Sequence, residues 1–111
     1  LAVKFGVDRR KAVEILLAGG ARNSFMEKIL EPKVINGDLS LGFTLSLAHK
    51  DVRIPCKLAS ESGAPLLYGN LTQNYYQICI NEMGGDAEVE TAGLVVDRLT
   101  GSEVVPKNYK L

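Results

Sequence analysis

The chain has 111 residues, of which 46% are hydrophobic and 23% charged, and its 13 basic residues balance its 13 acidic ones. A chain of this length forms one domain, which buries roughly 65% of the surface that its unfolded form exposes. The formal net charge of zero provides no overall field to attract nucleic acid or an anionic membrane surface, and no apolar run reaches membrane-spanning length.

The first third of the chain contains signals for helix starts and stops. Leu1–Gly6 resembles the glycine-terminated end of a helix that began earlier, which predicts that the sequence is a fragment. Asp8 is a good N-cap for the next helix, and Gly19 is a good stop for it. Ser24 and Glu27 have the spacing of a capping box, in which the serine side chain accepts the glutamate amide. Two short helices are therefore expected here.

Two long helices are predicted in the second half of the chain. Turn-forming residues make Asn36–Gly42 a loop. A long helix should follow from about Phe43–Ser62, with Gly63 as its stop. Pro65 suits the first turn of the next helix, where its missing amide costs nothing, and that helix should end before Gly84.

A last helix is predicted over Ala87–Gly101, with Asp86 as its cap. The tail Ser102–Leu111 should be frayed or bound to a neighbour. The only β-like run, Leu94–Val96, is too short for a sheet. The sequence therefore predicts an all-α fold class, a helical bundle of five to six helices in one domain spanning residues 1–111.

The long helix has an unusual charged pair within its apolar surface. At about 100° per residue, its apolar side chains form two adjoining arcs, one of Phe43, Leu47, Ile54 and Leu58 and the other of Leu45, Ala48, Val52, Cys56 and Ala59. Asp51 lies between these arcs and Lys50 at the edge of the first. Because adjacent positions point about 100° apart, we expect that Lys50 and Asp51 do not pair simply with each other.

A carboxylate at such a position has two interpretations. Burying it without a partner costs several kcal/mol, so it must be paired, neutralised or exposed to a cavity. In the structural interpretation, Asp51 caps a neighbouring helix or bonds a loop amide in the core, and helix geometry by itself favours this. In the functional interpretation, Asp51 faces a site, and Pro55 bends the helix at the same turn. His49 falls on the solvated face, where an exposed residue is expected.

Cys56 and Cys79 are the only cysteines and His49 is the only histidine, which is too few nitrogen and sulfur ligands for an ordinary zinc site. Both cysteines lie in apolar helical patterns. We therefore expect reduced, buried thiols in a cytoplasmic protein.

The segments "KFGVD", "ILLAGGARNSFMEKI", "DLSLGFTLSLAHKDVRI", "ESGAPLLYGNLTQNYYQI" and "GGDAEVETAGLVV" together resemble the C-terminal helical domain of the β-hydroxyacid dehydrogenases. This family includes 3-hydroxyisobutyrate dehydrogenase and tartronate semialdehyde reductase, and 6-phosphogluconate dehydrogenase is a distant relative. The resemblance implies that Lys50 lies against an NAD or NADP cofactor, that Asp51 supports catalysis, and that Phe43 lines the substrate region.

The resemblance also implies parts that these residues do not contain. Dinucleotide binding needs a strand, a turn with G-x-G-x-x-G and a helix, and no such segment is present. The family's catalytic lysine, in a G-x-x-K-x-x-N-N pattern, is expected before Leu1. The 111 residues alone should therefore be inactive. Their implied partners are their own Rossmann domain, a small 3-hydroxy acid or semialdehyde substrate, and further copies in a homo-oligomer.

A different class of function remains open at this stage. The chain could be a free-standing helical module for oligomerisation or small-ligand binding, without catalysis. Apolar helix faces that would otherwise dock on a Rossmann domain would then be buried between copies. The sequence determines neither the substrate nor the choice between NAD and NADP.

Overall fold

A computed structural model describes residues 1–111, and it confirms the predicted all-α fold class because every regular element is helical. The four α-helices are α1, α2, α3 and α4, which span Arg9–Ala18, Leu45–Ser62, Leu67–Met83 and Ala92–Thr100. A five-residue π-helical segment occupies Met26–Leu30, and 3-10 turns occupy Val3–Phe5, Val34–Asn36 and Val89–Thr91. None of these helices is both long and apolar enough to cross a membrane.

The chain divides into two compact units, and Leu1–Ser40 together with Gly93–Leu111 forms the first. Its core is built from side chains of three separate segments: Val34, Leu39 and Val105 are buried, and Ile29, Leu30 and Leu94 pack against them. Residues far apart in the chain therefore meet in this core.

The C-terminal tail is part of the first unit. The carboxylate of Asp97 accepts hydrogen bonds from the Ser102 hydroxyl at 2.8 Å and from the amides of Val104 at 2.9 Å and Val105 at 2.8 Å. Farther along, the amide of Leu39 donates to the carbonyl of Lys110 at 3.0 Å. The prediction of a frayed or intermolecular tail is therefore wrong, because hydrogen bonds to the buried Asp97 hold the tail against its own unit.

The predicted caps are correct in part. Asp8 accepts the amide of Lys11 at 3.1 Å, as predicted. The next cap is Asn23, which accepts the amide of Met26 at 3.0 Å. Asn and Ser are equally good caps, so the sequence did not distinguish between them. The predicted cap at Ser24 is therefore wrong by one position. Asp86 does not cap the last helix, because a 3-10 turn lies between them.

The second unit, Leu41–Ala92, contains α2 and α3, which pack on each other. Thr44 caps α2 by accepting the amide of Leu47 at 3.3 Å, and Gly63, at φ +73°, ends it as predicted. Pro65 lies before the start of α3 rather than in its first turn, since that helix begins at Leu67.

A glycine allows α2 and α3 to approach each other closely. A Cβ atom added at Gly69 would lie 3.1 Å from the sulfur of Cys56 and 2.7 Å from the side chain of Leu66. Cys56 and Cys79 are both buried and free, which confirms the expectation that their side chains lie in the packed interior.

Tyr75 links α3 to the end of the second unit. Its hydroxyl donates a hydrogen bond to the carbonyl of Ala92. Burial is the main cause that raises the pKa of Tyr75, and its hydrogen bond with Cys79 adds to this. The folded state therefore holds this phenolic proton more tightly than the unfolded chain does, whose tyrosines ionise near pH 10.0.

We predict that the free energy of unfolding falls as the pH rises above about 10, because the unfolded chain then loses protons that the folded chain retains. Tyr75→Phe should weaken this dependence and, at neutral pH, lower stability by about 1 kcal/mol through the lost hydrogen bond. Urea unfolding at pH 7 to 11 measures both effects. Tyr68→Phe is the control because Tyr68 is 84% exposed. Parallel pH curves for Tyr75→Phe and the unmodified protein would contradict the prediction.

Candidate functional site

Lys50 and Asp51 lie on α2, and they form an ion pair with each other. The Lys50 Nζ atom is 3.1 Å from Asp51 Oδ1, and the two side chains are 51% and 54% exposed. The expectation that neighbouring positions do not pair is therefore wrong, because the flexible lysine stem reaches back across the 100° between them. The structural interpretation of Asp51 as a core carboxylate is also wrong, since it lies at the surface.

The two apolar arcs of α2 differ in exposure to solvent. The arc that contains Leu45, Ala48 and Cys56 is buried in the second unit. On the other arc Leu47, Ile54 and Leu58 are 42%, 52% and 59% exposed. We call these three residues the α2 stripe.

The ion pair lies within the α2 stripe, because Lys50 and Asp51 fall between Leu47 and Ile54 on the same helix face. Apolar residues that stay exposed together mark surfaces that contact a partner or a ligand. Within such a surface, the ammonium and carboxylate can be desolvated when a partner arrives, and their electrostatic interactions then strengthen. His49 of the same helix is half-buried, whereas the sequence predicted it to be exposed.

The start of α2 is not an anion site. Helix N-termini bind phosphate through free backbone amides. Here the amide of Leu45 donates to the carbonyl of Ala87 at 2.8 Å and that of Ser46 to the carbonyl of Gly85 at 3.0 Å. The side chain of Thr44 accepts the amide of Leu47. The start of α2 therefore has no free amides to bind a phosphate, and Lys50 is a cation that the helix offers.

Phe43 is half-buried and precedes the cap of α2. Its amide donates to Glu88 Oε2 at 3.1 Å, and the neighbouring amide of Gly42 donates to the same oxygen at 2.7 Å. Its carbonyl accepts the amide of Val89 at 2.9 Å. Glu88 was missed from the sequence because it is one of several acidic residues in its segment, and only the folded chain brings it to Phe43.

No group of three or more His, Cys, Asp or Glu side chains lies close enough together to hold a metal ion. The structure brings Lys50 and Asp51 together, and it fixes the backbone of Phe43 through Glu88.

Comparison with known proteins identifies the family. Residues 1–95 match the family described as "NAD-binding of NADP-dependent 3-hydroxyisobutyrate dehydrogenase". The chain belongs to this family. It is also 32% identical over 66 residues to 2-(hydroxymethyl)glutarate dehydrogenase of Eubacterium barkeri, a match that covers 60% of this chain and 22% of that relative.

Membership confirms the resemblance to the β-hydroxyacid dehydrogenases at the level of the family, and it indicates NAD(P) as the cofactor. The chain spans about a fifth of the length of the dehydrogenase that it matches. The second unit has an exposed ammonium on an apolar surface, which is a donor that an oxygen of such a cofactor can accept from, but it lacks the strand and glycine-rich turn that would hold the pyrophosphate.

Proposed function

We propose that this chain is the helical, C-terminal domain of an NAD(P)-dependent dehydrogenase that acts on a small 3-hydroxy acid or the matching semialdehyde. The observation that carries the proposal is the exposed α2 stripe with the Lys50–Asp51 pair inside it, in a chain of this family. An apolar helix face with a built-in charge pair suits the wall of a cleft that closes and excludes water. A nucleotide-binding domain outside these 111 residues would form the other wall.

In this proposal each site residue has a separate task. NAD(P) supplies the hydride acceptor or donor. The Lys50 ammonium donates hydrogen bonds toward the cofactor side of the cleft, and Asp51 holds that ammonium in place. Asp51 also balances the lysine charge once water has been excluded. Phe43 covers the substrate region with an apolar ring.

We predict that, in the full-length enzyme, Lys50→Ala mainly raises KM for the cofactor, while Asp51→Asn mainly lowers kcat. A charge-assisted hydrogen bond contributes about 1.5–3 kcal/mol, so each change should be about 10- to 100-fold. Steady-state kinetics with NADP and 3-hydroxyisobutyrate, the compounds in the family's description, measures both constants. Lys57→Ala is the matched control because Lys57 is an exposed lysine of α2 whose partner is Glu61.

The same variants separate function from stability. A half-exposed ion pair contributes at most about 1 kcal/mol, so Asp51→Asn should leave the free energy of unfolding nearly unchanged. If Lys50→Ala and Asp51→Asn behave kinetically like Lys57→Ala, the proposed roles of the pair are wrong. If Asp51→Asn loses several kcal/mol of stability, the residue is structural instead.

A second exposed apolar surface favours self-association, either within the enzyme or as a module without catalysis. We define the α3 stripe by its residues, which are Leu67, Tyr68, Leu71 and Ile78, and they are between 45% and 84% exposed. Self-association of this kind normally buries one surface of each copy against the same surface of the other.

We predict that the purified protein is a dimer or larger and that Leu71→Glu shifts it toward monomer, because a charge cannot be buried unpaired in an apolar interface. Light scattering over a range of concentrations measures this mass. Gln77→Glu is the control, because Gln77 is an exposed polar residue of α3 that lies roughly 100° or more around the helix from Leu71 and Ile78, and it should leave the mass unchanged. A monomer at every concentration would contradict the prediction.

A further inference from the structure

The carboxylate of Glu88 makes its hydrogen bonds to two consecutive backbone amides before α2. Oε2 accepts the Gly42 amide at 2.7 Å and the Phe43 amide at 3.1 Å. Gly42 has φ +79°, a conformation that side-chain-bearing residues rarely adopt, and this turn lets two successive amides converge on one oxygen. Bonds to an ionised acceptor are roughly twice as strong as neutral ones.

These bonds act on Phe43 rather than on the helix. The first amides of α2 already donate to the carbonyls of Ala87 and Gly85 and to the side chain of Thr44. The helix start is therefore complete without the Glu88 carboxylate. What the carboxylate adds is a second anchor for Phe43, whose carbonyl is separately held by the amide of Val89.

We propose that Glu88 is a positioning residue, whose carboxylate fixes the Gly42–Phe43 backbone and thereby the direction in which the Phe43 side chain leaves the chain. This inference rests on the proposed function, in which Phe43 lines the substrate region. The amide and the carbonyl of Phe43 are both hydrogen-bonded, and this fixes the direction of its Cα–Cβ bond. The ring therefore presents a defined apolar surface to the substrate. Glu88 therefore affects the affinity for the hydroxy acid and leaves the cofactor side to Lys50.

The experiment compares Glu88→Ala and Glu88→Gln in the full-length enzyme with NADP and 3-hydroxyisobutyrate. Glu88→Ala should raise KM for the hydroxy acid about 10-fold, which corresponds to 1.4 kcal/mol, with little change in KM for NADP. Glu88→Gln should recover most of this loss, because the amide oxygen can still accept both hydrogen bonds. Asp86→Ala, an exposed acid in the same segment, should behave like the unmodified enzyme.

A double variant tests whether Glu88 acts through Phe43. In a Phe43→Leu background, Glu88→Ala should have a much smaller effect on KM for the hydroxy acid, because the ring that it positions is absent. Equal increases in both KM values, together with a lower free energy of unfolding, would show a structural role only and overturn the proposal.

A second readout does not depend on turnover. With 4-fluorophenylalanine at Phe43, the fluorine NMR signal should be a single sharp line that shifts or broadens in Glu88→Ala and not in Asp86→Ala. An unchanged line in Glu88→Ala overturns the proposal whatever the kinetics show. The line could also change in an enzyme that oxidises neither 3-hydroxyisobutyrate nor 2-(hydroxymethyl)glutarate. That result would overturn the proposed function, and with it the role of Phe43 in substrate binding. The conclusion that Glu88 positions Phe43 would still hold.

Discussion

The second unit depends on hydrogen bonds between the start of α2 and the segment Gly84–Val89. The carbonyls of Gly85 and Ala87 accept the first amides of the helix, which would otherwise have no intrahelical partner. The approach is so close that a Cβ atom at Gly85 would overlap the hydroxyl of Ser46. Because the same segment supplies Glu88, one set of contacts fixes both the helix and the aromatic residue before it.

This anchoring explains how α2 can present an unpartnered apolar face without losing its structure. The arc that contains Leu45 supplies the burial, so the α2 stripe is free to contact something else. The Lys50–Asp51 pair contributes little to folding because it is half-exposed. Stability and the candidate site therefore use different sides of one helix, which is what a cleft wall on a rigid element requires.

The sequence predicted those features that depend on local signals. The stop of α2 at Gly63, the cap at Asp8 and the all-α fold follow from neighbouring residues. Periodicity also located both arcs of α2, but it could not say which one packs against α3, and so Asp51 was expected near the core. Glu88 could not be found in advance because its bonds to Phe43 join segments that are distant in sequence.

The most direct test of this account is a crystal structure of the full-length protein with NADP bound. The account predicts that the α2 stripe is buried in a cleft and that the Lys50 ammonium lies within hydrogen-bonding distance, about 3 Å, of a cofactor or substrate oxygen. A structure in which the α2 stripe faces solvent, with Lys50 on the side away from the cofactor, would contradict it.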